Sequence, residues 1–156
     1  MIYFFFFFLF LANPQSADPL FDYQKIEPII LCDLVKLFLR DLPQPLIPFQ
    51  FYDELLQIFK DNRTTPPKMI SLLNTCFNKM PRPNKALLIR LIKFWAKVAA
   101  NQSVNKMTAE NLAVCFCPNI MYRQGDQMMK MVEEYPLVTE MWTILISNYE
   151  RVRLLV

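Results

Sequence analysis

Two cations one helical turn apart, Lys36 and Arg40, lie in a segment whose apolar residues recur on the opposite face. At this spacing both side chains project from one side of a helix, and each is a donor suited to a partner's carboxylates. The alternative is a solvated face on which Asp33 pairs with Lys36 at three-residue spacing. Three asparagines form a second group of interest. Asn105 and Asn119 fall where a loop and a helix stop are expected, positions at which amide side chains satisfy loose backbone groups. Asn111 falls in the first turn of a helix, where a local backbone bond is the simplest role.

Composition removes most other chemistry. The chain holds no histidine and a single glycine, Gly125. Phosphate-cradling loops need residues that accept positive φ and admit a ligand close to the backbone, so a P-loop or dinucleotide fold is excluded. Without histidine there is no Ser-His-Asp or Cys-His pair and no imidazole base. The cysteines Cys32, Cys76, Cys115 and Cys117 contain no C-x-x-C pair, so they read as buried thiols of a reducing compartment rather than metal or redox ligands. No cofactor and no metal is expected. The net charge of +3 is small and scattered, and it makes no argument for nucleic acid.

The elements that must position these residues are helical. With 156 residues and 54 % hydrophobic composition, the chain can line one core. Residues 2–12 form an apolar run shorter than the ~20 residues of a spanning helix. It fits the apolar part of a signal peptide, although no Lys or Arg precedes it. It also fits a misplaced start that reads a non-coding stretch as protein. Residues 1–17 are therefore set apart as an apolar leading segment, and 18–156 as the folded domain.

From Glu27 to Asp41 the spacing predicts a helix, with Leu31, Leu34, Val35, Phe38 and Leu42 on its core face. The prolines of Leu42–Pro48 forbid its continuation and favour an extended connection. Further helices are expected from Phe49 to Asp61, from Pro66 to about Met80, and from Asn84 to Ala100. The third of these carries the stripe Leu87, Leu88, Leu91, Ile92, Trp95, Val98 and Ala99, and should be central. Residues 101–106 read as a polar loop. Thr108 is a good N-cap with Glu110 in the first turn, and Pro118 is expected to stop the helix that follows. Two more helices are expected, about Asp126–Glu134 and about Pro136–Val152. Trp95 and Trp142 read as core, and Met128, Met129 and Met131 as packing against the last helix.

Two stretches resemble a known family. Lys36-Leu-Phe-Leu-Arg-Asp-Leu-Pro-Gln-Pro-Leu-Ile-Pro48 looks like the K-x-x-L-R-x-L-P-x-P-L-[IL] signature of RhoGAP domains. Asn105-Lys-Met-Thr-Ala-Glu-Asn-Leu-Ala-Val-Cys-Phe-Cys-Pro-Asn119 is similar to the family's N-K-M-T-x-x-N-L-A-x-x-F-x-P-N, with Cys117 in place of the small residue usual before Pro-Asn. The resemblance covers roughly residues 20–153. It implies an all-α fold, a RhoGAP-like helical bundle that is partial, lacking the first helices and the arginine-finger loop.

The resemblance also implies a function. Such a domain binds a Rho- or Rac-type small GTPase in its GTP-bound form and acts as an activator in signal transduction, not as an enzyme in its own right. Its inserted arginine meets charge as it develops on the transferring phosphoryl group, worth ~10³ to 10⁵ in rate. That arginine ends a Gly-x-Phe-Arg loop ahead of the first signature. Here the only glycine is Gly125, after both signatures, so activation by this chain is expected to be impaired. Arg63, Arg82, Arg90 and Arg123 are the other arginines weighed as substitutes. Arg123 is the most interesting, in a polar loop with Gly125, but nothing in the sequence aims it at a nucleotide. The residues carried over as GTPase-binding are Lys36, Arg40 and Asn111, with Asn105, Pro118 and Asn119 as structural support. A cytoplasmic site is expected, with membrane association only indirect, through the GTPase. The alternatives are a truncated, unstable product, or a secreted or membrane-tethered helical protein.

Overall fold

The computed structural model describes residues 27–125 and 127–154. The leading segment, residues 1–17, lies outside them. Among the described residues there are seven α-helices, one 3₁₀ turn and no strand, so the fold is all-α as expected. Backbone contacts divide the chain into two compact units, Met1–Pro43 and Gln44–Val156.

The described part of the first unit is helix α1, Pro28–Arg40, with proline in its first turn and the Asp41 amide closing onto Leu37 O. Its expected core face is only half right. Leu39 is the fully buried residue, while Leu34 is 42 % exposed along with Ile29, Ile30 and Leu37. Apolar residues run almost all round this helix, so three- and four-residue spacing does not single out one stripe.

The second unit opens with a buried strap. Pro45, Leu46, Ile47 and Pro48 are all buried, although proline removes their usual backbone pairing. The remaining polar groups are met from outside the strap: Ile47 N donates to Ile120 O at 2.9 Å, and Asn84 Nδ2 donates to Leu46 O at 2.8 Å. The strap is thus tied to the first turn of one later helix and the last residue of another. Helices α2, Phe49–Asn62, and α3, Pro66–Asn78, come next, linked by a turn in which Thr65 N returns to Asn62 O. Ile70, Leu73 and Phe77 are buried as predicted. Helix α4 spans Arg82–Ala100 and starts two residues earlier than expected. Pro81 and Pro83 close α3 and also sit at the opening of α4, where a missing N–H is harmless.

Residues 101–106 are not simply a loop, because Gln102–Asn105 close one helical turn, α5, ended by Lys106 with φ 60°. Helix α6 then runs Ala109–Ile120 and is capped by Thr108. Pro118 does not stop it. A proline removes the bond to the carbonyl four residues back, here Val114 O, and the Tyr135 hydroxyl donates to that oxygen at 3.0 Å. Pro136 likewise lies inside a single helix, α7, Met128–Ser147, where two helices were expected. The carbonyl it leaves is that of Val132, a residue 63 % exposed, where solvent can serve. The 3₁₀ turn Tyr149–Arg151 ends the described elements, and Asn74 fixes it by donating to Arg151 O and accepting from Arg153 N.

The core of the second unit is aromatic at two points. Trp95 lies 5.0 Å from Phe116, and Phe77 lies 6.1 Å from Trp142, between ring centroids. Both tryptophans are fully buried, as predicted. Met129, by contrast, is 79 % exposed rather than packed against its helix neighbours. Removing the Tyr135 hydroxyl by Tyr135→Phe leaves Val114 O without its donor. The expected cost is about 1 kcal/mol, read as a fall of about 3 °C in the thermal midpoint; no shift would mean that water replaces the hydroxyl freely.

Candidate functional site

In the first unit, Lys36 Nζ lies 2.7 Å from Asp33 Oδ1, the pairing that the sequence offered as the alternative to partner binding. Asp33 is 65 % exposed there, and an exposed pair of this kind is worth only about 0–1 kcal/mol. A partner carboxylate of comparable geometry could therefore replace it at little cost. Arg40 is exposed in the last turn of α1, a favourable end for a cation. Helical geometry sets the two cations on one side of α1.

In the second unit, the entry to α6 is tied down residue by residue. Asn105 Nδ2 donates to Val98 O at 2.8 Å, and its Oδ1 accepts from Met107 N at 2.8 Å. Lys106 takes the left-handed conformation, φ 60°, which costs a residue with a Cβ roughly 1–2 kcal/mol. Its Nζ folds back to Ser103 O at 2.9 Å. Asn111 N donates to Thr108 Oγ1, and Asn111 Nδ2 donates to Lys106 O, each at 3.0 Å. Asn111 is thus a local backbone partner, and it is also exposed. Below it, Val114, Cys115 and Pro118 are exposed at the steps of the same outer face. At the far end of α6, Asn119 Nδ2 donates to Cys115 O at 3.0 Å.

Sequence reasoning missed the strongest electrostatic feature. Arg123, weighed as a substitute for a catalytic arginine, is 8 % exposed and bonded on both sides. Its Nε and Nη2 donate to the Glu134 carboxylate at 2.7 and 2.9 Å, and Nη2 also reaches Asp53 Oδ1 at 2.6 Å. The guanidinium lies 4.3 Å from the centre of the Tyr52 ring, at cation–π distance. Burial and the neighbouring Glu134 push the Tyr52 hydroxyl up to about 12, so it stays a neutral donor. Although its burial works the other way, the hydrogen bond and charge of Arg123 hold the Glu134 carboxyl below the usual carboxylate range. Arg123 is therefore a tether between α2, α7 and the loop before α7, and is not free to reach a nucleotide. The local cue was Glu134, eleven residues on; Asp53 lies seventy residues back.

A small cavity of about 20 Å³ adjoins this tether, lined by Tyr52, Cys117, Met121, Met131 and Tyr135 among others. It is about the size of one water. The cysteines divide: Cys76 and Cys117 are buried as expected, whereas Cys32 and Cys115 are exposed. Burial pushes both buried thiols up, Cys76 to about 12, so neither is a thiolate near neutral pH. Among the described residues, no group of His, Cys, Asp and Glu could hold a metal ion, and no helix is long and apolar enough to cross a membrane.

The RhoGAP domain family model matches residues 10–125, and the chain belongs to that family. Rho GTPase-activating protein gacY of Dictyostelium discoideum is 36 % identical over 81 % of this chain and 18 % of its own length. Rho GTPase-activating protein 22 of Mus musculus is 33 % identical over 86 % of this chain and 19 % of its own length. The chain thus spans about a fifth of these relatives. Among solved structures, the BH domain of GRAF, the GTPase regulator associated with focal adhesion kinase, superposes with a TM-score of 0.73 at 25 % identity. That superposition covers 94 % of this chain and 76 % of that one. Human Rho GTPase activating protein 15 gives the same TM-score at 22 % identity, over 97 % and 71 % of the two chains, a likeness of fold. The family match takes in residues 10–17 of the segment set apart above, and it ends before α7.

Proposed function

We propose that this chain is a GTPase-binding module of RhoGAP type that holds a Rho- or Rac-type GTPase in its GTP-bound form and does not by itself accelerate hydrolysis. Residues 18–156 correspond on this reading to the C-terminal portion of the domain, acting in the cytoplasm. Lys36 and Arg40 donate to acidic groups of the GTPase, and Asn111 hydrogen-bonds its switch region. The observation that carries the reading is the fixing of Asn111. Thr108, Lys106 and Asn105 secure the turn before it, yet its amide stays at the surface at the head of an exposed face. Two observations support the loss of catalysis: no Gly-x-Phe-Arg occurs among the 156 residues, and Arg123 is committed to Glu134 and Asp53.

Titrating the purified chain into GTP-loaded Rho, Rac and related GTPases tests it. Binding is expected to prefer the GTP form. Lys36→Ala and Asn111→Ala are each expected to weaken it roughly tenfold, the loss of one hydrogen bond to a charged or buried group. No binding to any GTP-loaded member, or full affinity in both variants, would overturn the assignment. A second reading, an unstable truncated product, is favoured by the exposed Ile29, Ile30, Leu34 and Leu37 of α1; its mark would be broad, non-cooperative thermal unfolding.

A further inference from the structure

The net charge of +3 conceals a strong segregation. Nine of the seventeen cations lie in residues 62–109, which contain no carboxylate, while all fourteen carboxylates share the rest of the chain with the other eight cations. The charge is therefore not scattered, as it seemed from the total. Its centre is helix α4, which carries Arg82, Lys85, Arg90, Lys93 and Lys97 and no acidic residue.

On α4 the buried side holds Leu87, Leu88, Leu91, Ile92 and Trp95, with Trp95 turned toward Phe116 of α6. The opposite side presents Lys93 and Lys97, four residues apart and both exposed. Among the described residues neither forms an ion pair. Beside them Phe94 is 46 % exposed, and Val104 on the one-turn helix that follows is 84 % exposed. Asn101 Nδ2 donates to Lys97 O and Asn105 Nδ2 to Val98 O, so that turn is tied to the last turn of α4.

We propose that the outer face of α4, with Lys93, Phe94 and Lys97 continued by Val104, is a docking surface for an anionic lipid bilayer. Three features favour a bilayer over an acidic protein or a nucleic acid. The face is one side of a helix rather than a groove, and so suits a broad, diffuse layer of charge. Lys93 and Lys97 are compact point charges without the planar fork that arginine offers to a fixed carboxylate or phosphate. Phe94 and Val104 gain by entering the headgroup and acyl boundary, as aromatic and aliphatic residues do in interfacial helices, whereas a polyanion in water gives them nothing. This surface is independent of Lys36, Arg40 and Asn111. It also goes beyond membrane association through the GTPase alone, because the contact is made by the chain itself.

Co-sedimentation of the full chain with vesicles tests it, using phosphatidylcholine alone and phosphatidylcholine with roughly one third phosphatidylserine. The readout is the gain in binding that phosphatidylserine brings. That gain is expected to fall as salt rises above about 0.1 M. It is expected to drop roughly thirtyfold in Lys93→Gln/Lys97→Gln, at about 1 kcal/mol for each basic residue near the surface, and to be kept in Lys93→Arg/Lys97→Arg. Phe94→Ser is expected to lower binding severalfold in a way that salt does not change. No gain with phosphatidylserine, or a gain unaltered in the double glutamine variant, would overturn the proposal. So would binding to a soluble polyanion such as RNA that matches the vesicles and ignores Phe94→Ser. Circular dichroism of each variant confirms that the exposed substitutions leave the helices intact.

Discussion

Mixed with a GTP-loaded Rho-type GTPase in single-turnover conditions, the chain is expected to leave hydrolysis near its intrinsic rate. The shortfall against a complete RhoGAP domain should be ~10³ to 10⁵. An arginine finger acts by placing fixed positive charge where the transferring phosphoryl group develops negative charge, and it works best where water is excluded. Positioning of the GTPase by Lys36, Arg40 and Asn111 would not supply that charge. Arg123 would not supply it either, since moving its guanidinium outward would strip Glu134 of its partner. A rate approaching that of complete domains would reject the proposed loss of catalysis, and the arginine responsible should then be sought among Arg63, Arg82 and Arg90.

Replacing Arg123 by methionine is expected to lower stability by about 3 kcal/mol, because removing one member of a buried pair strands the other. In a chain of this size the thermal midpoint should fall by about 10 °C. The stranded group is Glu134, whose side chain is 10 % exposed; Asp53, at 76 % exposed, adds little. Arg123→Met/Glu134→Gln should recover part of the loss, since removing both charges costs less than removing one. The pH dependence follows in sign. Glu134 titrates below its unfolded value, so its contribution is complete above the ordinary carboxylate range and is lost as pH falls through the depressed value. Acidification should therefore narrow the gap between the wild-type chain and Arg123→Met, and thermal melts across the acid range read this directly. An equal gap at every pH would show that packing against Tyr52, not charge, makes Arg123 important.

Helix positions were legible wherever a proline coincided with a true boundary, as at Pro28, Pro66 and Pro81. They were misread where proline lies inside a helix. The rule that Pro118 ends α6 is sound for an isolated segment, because it orphans Val114 O. The donor that repairs this, Tyr135, is twenty-one residues away, and no local pattern announces it. Arg123 failed for the same reason: a polar loop beside the lone glycine looked mobile, while its partners lie on α2 and α7. The strap at Leu46 and Ile47 was read as an extended connection, but its burial depends on Asn84 and Ile120. At the candidate site, the cap at Thr108 and the backbone bonds of Asn105 and Asn119 were legible because their partners lie within a few residues. The charge of α4 was also visible, but only by position; summed over the chain it disappears.

The loop between α6 and α7 has one consequence for how this part of the chain breathes. In most proteins a surface connection can open alone, at a small fraction of the global free energy. Here opening it withdraws Arg123 from Tyr52, Asp53 and Glu134 together, and leaves the buried Glu134 carboxylate without its cation. Local fraying therefore costs the ion pairs through which Arg123 links α2 to α7. A segment that looks loose in the sequence is thus anchored through one buried side chain.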